Sequence, residues 1–226
     1  MNETKMGILN QIWTCLRSPR KGFETIRGED LRKGVVIIIL VAALSAYAGF
    51  NYTSKTPFQL PLGSTQGAGQ PRPGQSINPE ALRNNFIILS TLANGITVIT
   101  GWLVTAVVIH IFARLMAGEG SLKKLLAQMG FASIPLLIHQ VLRLIDALTI
   151  SSGTLLGIMA SRSLGRTLAL RFMNGMLATF TLFGIWAIFL TIIAVSINYE
   201  SSKSRAAAAT ILAYLALIVV RLFLPI

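Results

Sequence analysis

Residues 86–113 form a run of 28 residues without a single Asp, Glu, Lys or Arg. As a helix that run is ~42 Å long at 1.5 Å per residue, more than the ~30 Å apolar layer of a bilayer. A soluble domain has no place for it. Four further apolar stretches, residues 34–50, 130–150, 172–197 and 206–224, lie on either side. Inside lipid, backbone amides must find partners within their own segment, which makes each stretch a helix. The expected fold is an all-α integral membrane protein, a bundle of five transmembrane helices preceded by short N-terminal amphipathic, interfacial helices. Charged residues make up 12% of the chain and hydrophobic residues 53%, against about 25% charged in soluble domains. These values exclude an ordinary soluble, disordered or collagen-like chain. Cys15 stands alone, which excludes a disulfide framework and a thiolate metal site.

Twenty Lys and Arg against eight Asp and Glu give a net charge of +12. Many of the cations lie between apolar stretches, where topology and anionic headgroups call for them. No basic segment carries the interleaved aromatics of a single-strand binding platform, so nucleic acid is not an expected partner. With five spans and the N-terminus inside, the inner side carries twelve Lys and Arg and the outer side six. If residues 130–150 do not cross, the numbers are fourteen and five. The N-terminus is cytoplasmic in both cases and the charge does not choose between them. With five spans the C-terminus is external, in a multi-pass protein of the cell membrane.

Residues 1–33 lack the apolar core of a secretory signal. They place Leu9, Ile12, Trp13 and Leu16 at helical spacing, then Ser18-Pro19, where Ser18 can cap a second short helix. Two compatible readings follow: a helix packed on the bundle, and an interfacial segment with Trp13 at headgroup level and Arg17, Arg20 and Lys21 against anionic lipid. Residues 51–85 read as a flexible external loop rich in Pro, Gly, Gln and Ser. Its sequon at Asn51 lies too close to the membrane to be more than a chance pattern. Asn94, Gly95 and Gly101 in the second stretch are expected where helices approach closely.

The third stretch is interrupted by polar residues. His139, Arg143 and Asp146 share one helix face, where ionisable groups turn to the bundle interior and find partners. Either Arg143 and Asp146 form an internal ion pair, or the face lines a polar path or a site for a headgroup or ion. Arg221 near the end of the fifth stretch falls at a depth similar to Asp146 and is a candidate partner. No metalloprotease, P-loop or nucleophile-elbow pattern occurs in the chain. No metal, cofactor or catalytic residue is expected.

The stretch IHIFARLMAGEGSLKKLLAQMGFASIP and the opening SPRKGFETI resemble the Yip-one domain family, the Ypt/Rab-interacting membrane proteins. The pattern is a basic helix end (His110, Arg114), a Gly-containing turn (Gly118, Gly120), a short amphipathic segment, then Gly130, Phe131 and Pro135. The acidic Asp-Leu-x-Gly-Pro signature of eukaryotic members is missing, so the resemblance is to a prokaryotic-type member and does not extend to Rab-type GTPases. It implies five membrane helices, a cytosolic N-terminus and no catalysis. Two functions are therefore expected: a non-enzymatic protein that scaffolds partners or organises the bilayer, or a small transporter or channel subunit using the polar face. The expected partners are the lipid bilayer with its anionic headgroups, membrane or cytosolic proteins, and a second copy of the chain.

Overall fold

The computed structural model describes residues 7–56, 78–116, 118–155, 176 and 179–223, with side chains through residue 220. Two short helices, α1 (Ile8–Arg17) and α2 (Pro19–Thr25), lead through a 3-10 turn (Gly28–Asp30) into α3 (Leu31–Lys55). The long helix α4 (Pro79–Met116) follows, then α5 (Leu122–Ala132), α6 (Ile134–Thr149), α7 (Leu182–Asn198) and α8 (Lys203–Phe223). Residues 28–55, 79–116, 122–149 and 203–220 are long and apolar enough to cross a membrane, and α7 is a shorter apolar helix of 17 residues. Among the described residues there is no strand.

Several boundaries differ from the sequence reading. The segment read as a flexible loop over 51–85 is helical at both margins, because α3 runs on to Lys55 and α4 starts at Pro79. The side chains of Asn51, Ser54 and Thr56 bond back to carbonyls three or four residues earlier and hold that last turn. The third stretch begins eight residues before 130 and is two helices broken at Ser133, whose amide bonds to both Met129 and Gly130 carbonyls. Pro135 sits in the first turn of α6, where its missing N–H costs nothing. Pro19 occupies the first position of α2, but Ser18 makes no side-chain cap. The fourth stretch is described as a helix only from Leu182, and 172–175 lie outside the described residues.

Lipid is as apolar as leucine, so these helices are held by close packing and not by escape from water. α5 shows this most clearly. Its Ala127, Phe131 and Ala132 join Cys15, Phe23, Ile26, Ile37 and Leu190 in one buried cluster. Its Leu125 and Met129 join Ala106, Ile109, Val195 and Ala209 in a second. An 11-residue helix thus has α1, α2 and α3 on one side and α4 and α8 on the other, with α7 contributing to both clusters. Glycine makes the approach feasible: a Cβ on Gly34 of α3 would lie 2.8 Å from the Ala127 carbonyl oxygen, and one on Gly130 would collide with Gly34 itself.

Elsewhere the bundle turns large apolar side chains outward. Ile88, Leu92, Ile96, Leu103 and Val107 are exposed along α4, and Ile185 and Phe189 along α7. Exposed apolar surface this continuous marks a membrane environment. At 1.5 Å per residue α4 is ~57 Å long, so even a 40° tilt leaves it longer than the apolar layer. Gly95 packs on Ala46 of α3 as expected, whereas Gly101 faces open space.

Gly130→Ala should lower the melting temperature of the detergent-solubilised protein, at an overpacking cost of about 1–3 kcal/mol. Gly101→Ala should leave it unchanged or slightly raised. Equal melting temperatures for the two variants would contradict the α3–α5 contact.

Candidate functional site

Among the described residues, polar side chains gather at three places. At the N-terminal end, α1 and α2 are built into the bundle. Cys15, Phe23 and Ile26 are fully buried, and Gly22 lets α2 lie against the α1 backbone, since a Cβ there would meet Cys15 Cα and N at 2.7 Å. Gln128 of α5, also fully buried, donates to the Phe23 carbonyl at 3.1 Å and so closes the end of α2. Lys33 Nζ bonds to Gln11 Oε1 at 2.9 Å and pairs with Asp30 at 2.8 Å, fastening α1 to the start of α3. One side of α1 and α2 is thus packed on the bundle. The opposite edge is open: Leu9 is 75% and Trp13 64% exposed, four residues apart, with Arg17, Arg20 and Lys21 exposed beyond them. Arg20 also pairs with Glu24 at 3.1 Å on that surface.

The second place explains the motif residues. His110 of α4 shares a hydrogen bond with the hydroxyl of Tyr199, at the end of α7, with the rings tilted at 5.8 Å. Gly120 lies under that ring: a Cβ on it would meet Tyr199 Cδ1 at 2.5 Å. Gly118 has φ +115°, a conformation that favours glycine. Asn198 Nδ2 donates to the Ser121 carbonyl at 2.9 Å. Burial pushes the Tyr199 phenol up to about 12, so it stays a neutral hydrogen-bonding group. His110, Gly118 and Gly120 thus secure the α4–α5 turn to the α7–α8 turn, while Gly130, Phe131 and Pro135 place α5 and start α6. Arg114 is exposed. Tyr199 had no local signal beyond its place in a polar turn.

The third place is the polar face of α6. His139, Arg143 and Asp146 do share a face, but the Arg143–Asp146 ion pair is absent among the described residues. Asp146 instead accepts a hydrogen bond from Tyr52 Oη of α3 at 2.5 Å, and the same hydroxyl reaches the Arg143 carbonyl at 3.3 Å. The Arg143 guanidinium stands over the Tyr52 ring at 5.7 Å. His139 lies against Phe183 of α7 at 5.6 Å between ring centroids. Lys55, one turn beyond Tyr52, donates to the carbonyls of Ala147 and Leu148 at 2.8 Å and Ile150 at 3.1 Å. An ammonium at a helix C-terminus satisfies orphan carbonyls and the helix dipole together. Tyr52 and Lys55 escaped the sequence reading because both fall in the segment assigned to the loop; their i, i+3 spacing at the end of an apolar run was the available signal. The Arg221 side chain lies outside the described residues.

No group of three or more His, Cys, Asp or Glu that could hold a metal occurs among the described residues. What the geometry defines is a polytopic α-helical membrane protein whose polar contacts fasten helix ends. A family model, the Yip1 domain, matches residues 13–224, and the chain belongs to that family. No curated protein matches it, and neither does any solved structure.

The docked N-terminal helices make a prediction about Cys15. Burial pushes its thiol up to about 12, which leaves ~1 in 10,000 as reactive thiolate at pH 8. Maleimide should leave Cys15 unlabelled in the folded protein and label it fully after denaturation. Rapid labelling of the folded protein would show that α1 and α2 detach.

Proposed function

We propose that this protein is a non-catalytic, five-crossing organiser of its membrane, a Yip1-domain protein of the prokaryotic type with a cytoplasmic N-terminus and an external C-terminus. It holds protein partners or shapes the bilayer through a rigid cytoplasmic edge made by α1 and α2. The observation that carries this reading is the edge itself: Leu9 and Trp13 exposed beside Arg17, Arg20 and Lys21. A large aromatic at headgroup level flanked by cations suits the interface of an anionic leaflet. Because Cys15, Phe23 and Ile26 are cored into the bundle, the edge is held at fixed depth and does not fold on arrival at the membrane. α5 and α6 count as one crossing, and α7, ~25 Å long at 1.5 Å per residue, as another.

The test compares the full chain with a variant carrying Leu9→Gln, Trp13→Gln, Arg17→Gln and Lys21→Gln, each purified from native membranes. Mass spectrometry should show co-purifying proteins and anionic lipid reduced severalfold in the variant, and neither form should conduct solute in reconstituted vesicles. Unchanged co-purification, or solute flux that vanishes when His139, Arg143 and Asp146 are neutralised together, would overturn the proposal in favour of a transporter or channel subunit.

A further inference from the structure

The polar face of α6 holds more hydrogen-bonding capacity than the protein uses. Asp146 accepts its hydrogen bond from the Tyr52 hydroxyl and forms no ion pair with Arg143 among the described residues. The Arg143 guanidinium stands over the Tyr52 ring and beside its hydroxyl, which takes up one of its five N–H donors, and His139 lies against the Phe183 ring with Arg143 nearby. Between them in sequence, the buried Gln140 Oε1 has no hydrogen-bond partner among the described residues. Three polar side chains within five residues of one helix therefore keep unused hydrogen-bonding capacity among the described residues. Leaving an ionised or amide group so placed in apolar surroundings is costly.

The position of the face defines what can satisfy it. Arg143 lies six residues from the end of α6, ~9 Å along the axis at 1.5 Å per residue, which is near headgroup depth. Leu142 and Ile145, beside Arg143 in sequence, are about half exposed and present apolar surface to lipid. Lys55 adds a second cation at the rim, where it closes the C-terminus of α6. Two cations against one engaged carboxylate call for an anion, and a guanidinium is the side chain best shaped for phosphate. The Gln140 oxygen is an acceptor and calls for a donor beside that phosphate.

We infer that the polar face of α6, flanked by Tyr52 of α3 and Phe183 of α7, is a binding site for a glycerophospholipid whose headgroup carries a phosphodiester and a hydroxyl or amine donor. Arg143 and His139 take the phosphate, Gln140 Oε1 the donor, and the exposed apolar flank of α6 the acyl chains. Tyr52 is the positioning residue: its hydroxyl holds Asp146 and its ring lies under the Arg143 guanidinium, which keeps the two from closing into an ion pair. This inference is independent of the edge formed by α1 and α2 at the opposite end.

The test titrates delipidated full-length protein in neutral detergent with phosphatidylglycerol, phosphatidylcholine and inorganic phosphate, read by native mass spectrometry and by the ligand-induced rise in melting temperature. Phosphatidylglycerol should bind more tightly than phosphatidylcholine, which has no headgroup donor, and inorganic phosphate only weakly. Arg143→Gln should weaken phosphatidylglycerol at least tenfold and Arg143→Lys less. Tyr52→Phe should weaken it severalfold by releasing Asp146 towards Arg143. Asp146→Asn should bind as tightly or more tightly, and it keeps the proposal falsifiable if Arg143→Gln fails to fold. Inorganic phosphate binding as well as the lipid would overturn the lipid assignment. Undiminished lipid binding by Arg143→Gln, or equal loss in Arg143→Gln and Asp146→Asn, would overturn the site.

Discussion

The crossing of α3 and α5 at Gly34 and Gly130 brings two backbones together where neither residue has room for a Cβ. In a membrane no water drives helices together, so shape complementarity at such crossings supplies the cohesion. This contact seats α5 deep in the molecule, with Phe131 and Ala127 turned towards α2 and α3 and Leu125 and Met129 towards α4, α7 and α8. Each later feature inherits its position from it. α2 packs against α7, and Gln128 of α5 reaches the Phe23 carbonyl to tie the two ends together. The break at Ser133 then starts α6, whose far end Tyr52 and Lys55 fasten back onto α3. α3 therefore holds α5 at one end of the bundle and α6 at the other.

The two polar ends of the bundle do different things with the same residue types. Around Tyr199 every contact is structural: a phenol kept neutral by burial, a histidine, and glycines that give the ring space. The α6 face retains capacity, since one hydroxyl from α3 occupies its only carboxylate and leaves a guanidinium over an aromatic ring. A cluster of His, Arg and Asp on one helix face is thus resolved by geometry into a fastening on one side and an open face on the other.

Much of the architecture was legible in the sequence because the exclusion of charge from 86–113 and its neighbours has one physical solution, the membrane helix. The shared face of His139, Arg143 and Asp146 was legible too, since helical periodicity is local. What could not be read were contacts between distant segments. Lys55 and Tyr52 looked like loop residues because nothing local announces the C-terminus of a helix ninety residues away. The amphipathic pattern of α1 serves a bundle or a lipid surface equally well, and only the burial of Cys15 and Phe23 shows that one side is packed. Of the two readings of the α6 face, the internal ion pair is not formed among the described residues, where Asp146 instead accepts from the Tyr52 hydroxyl of another helix.

The central claim, that α1 and α2 form one cooperative unit with α5 inside the bundle, is open to a direct measurement. Hydrogen exchange of the full-length protein in lipid nanodiscs, followed peptide by peptide with mass spectrometry, reads the stability of each helix against opening. On this account, amides of residues 11–26 are protected to the same extent as those of 125–132, and Gly130→Ala loosens both together. Exchange of residues 11–26 within seconds, while 125–132 stay protected, would contradict it.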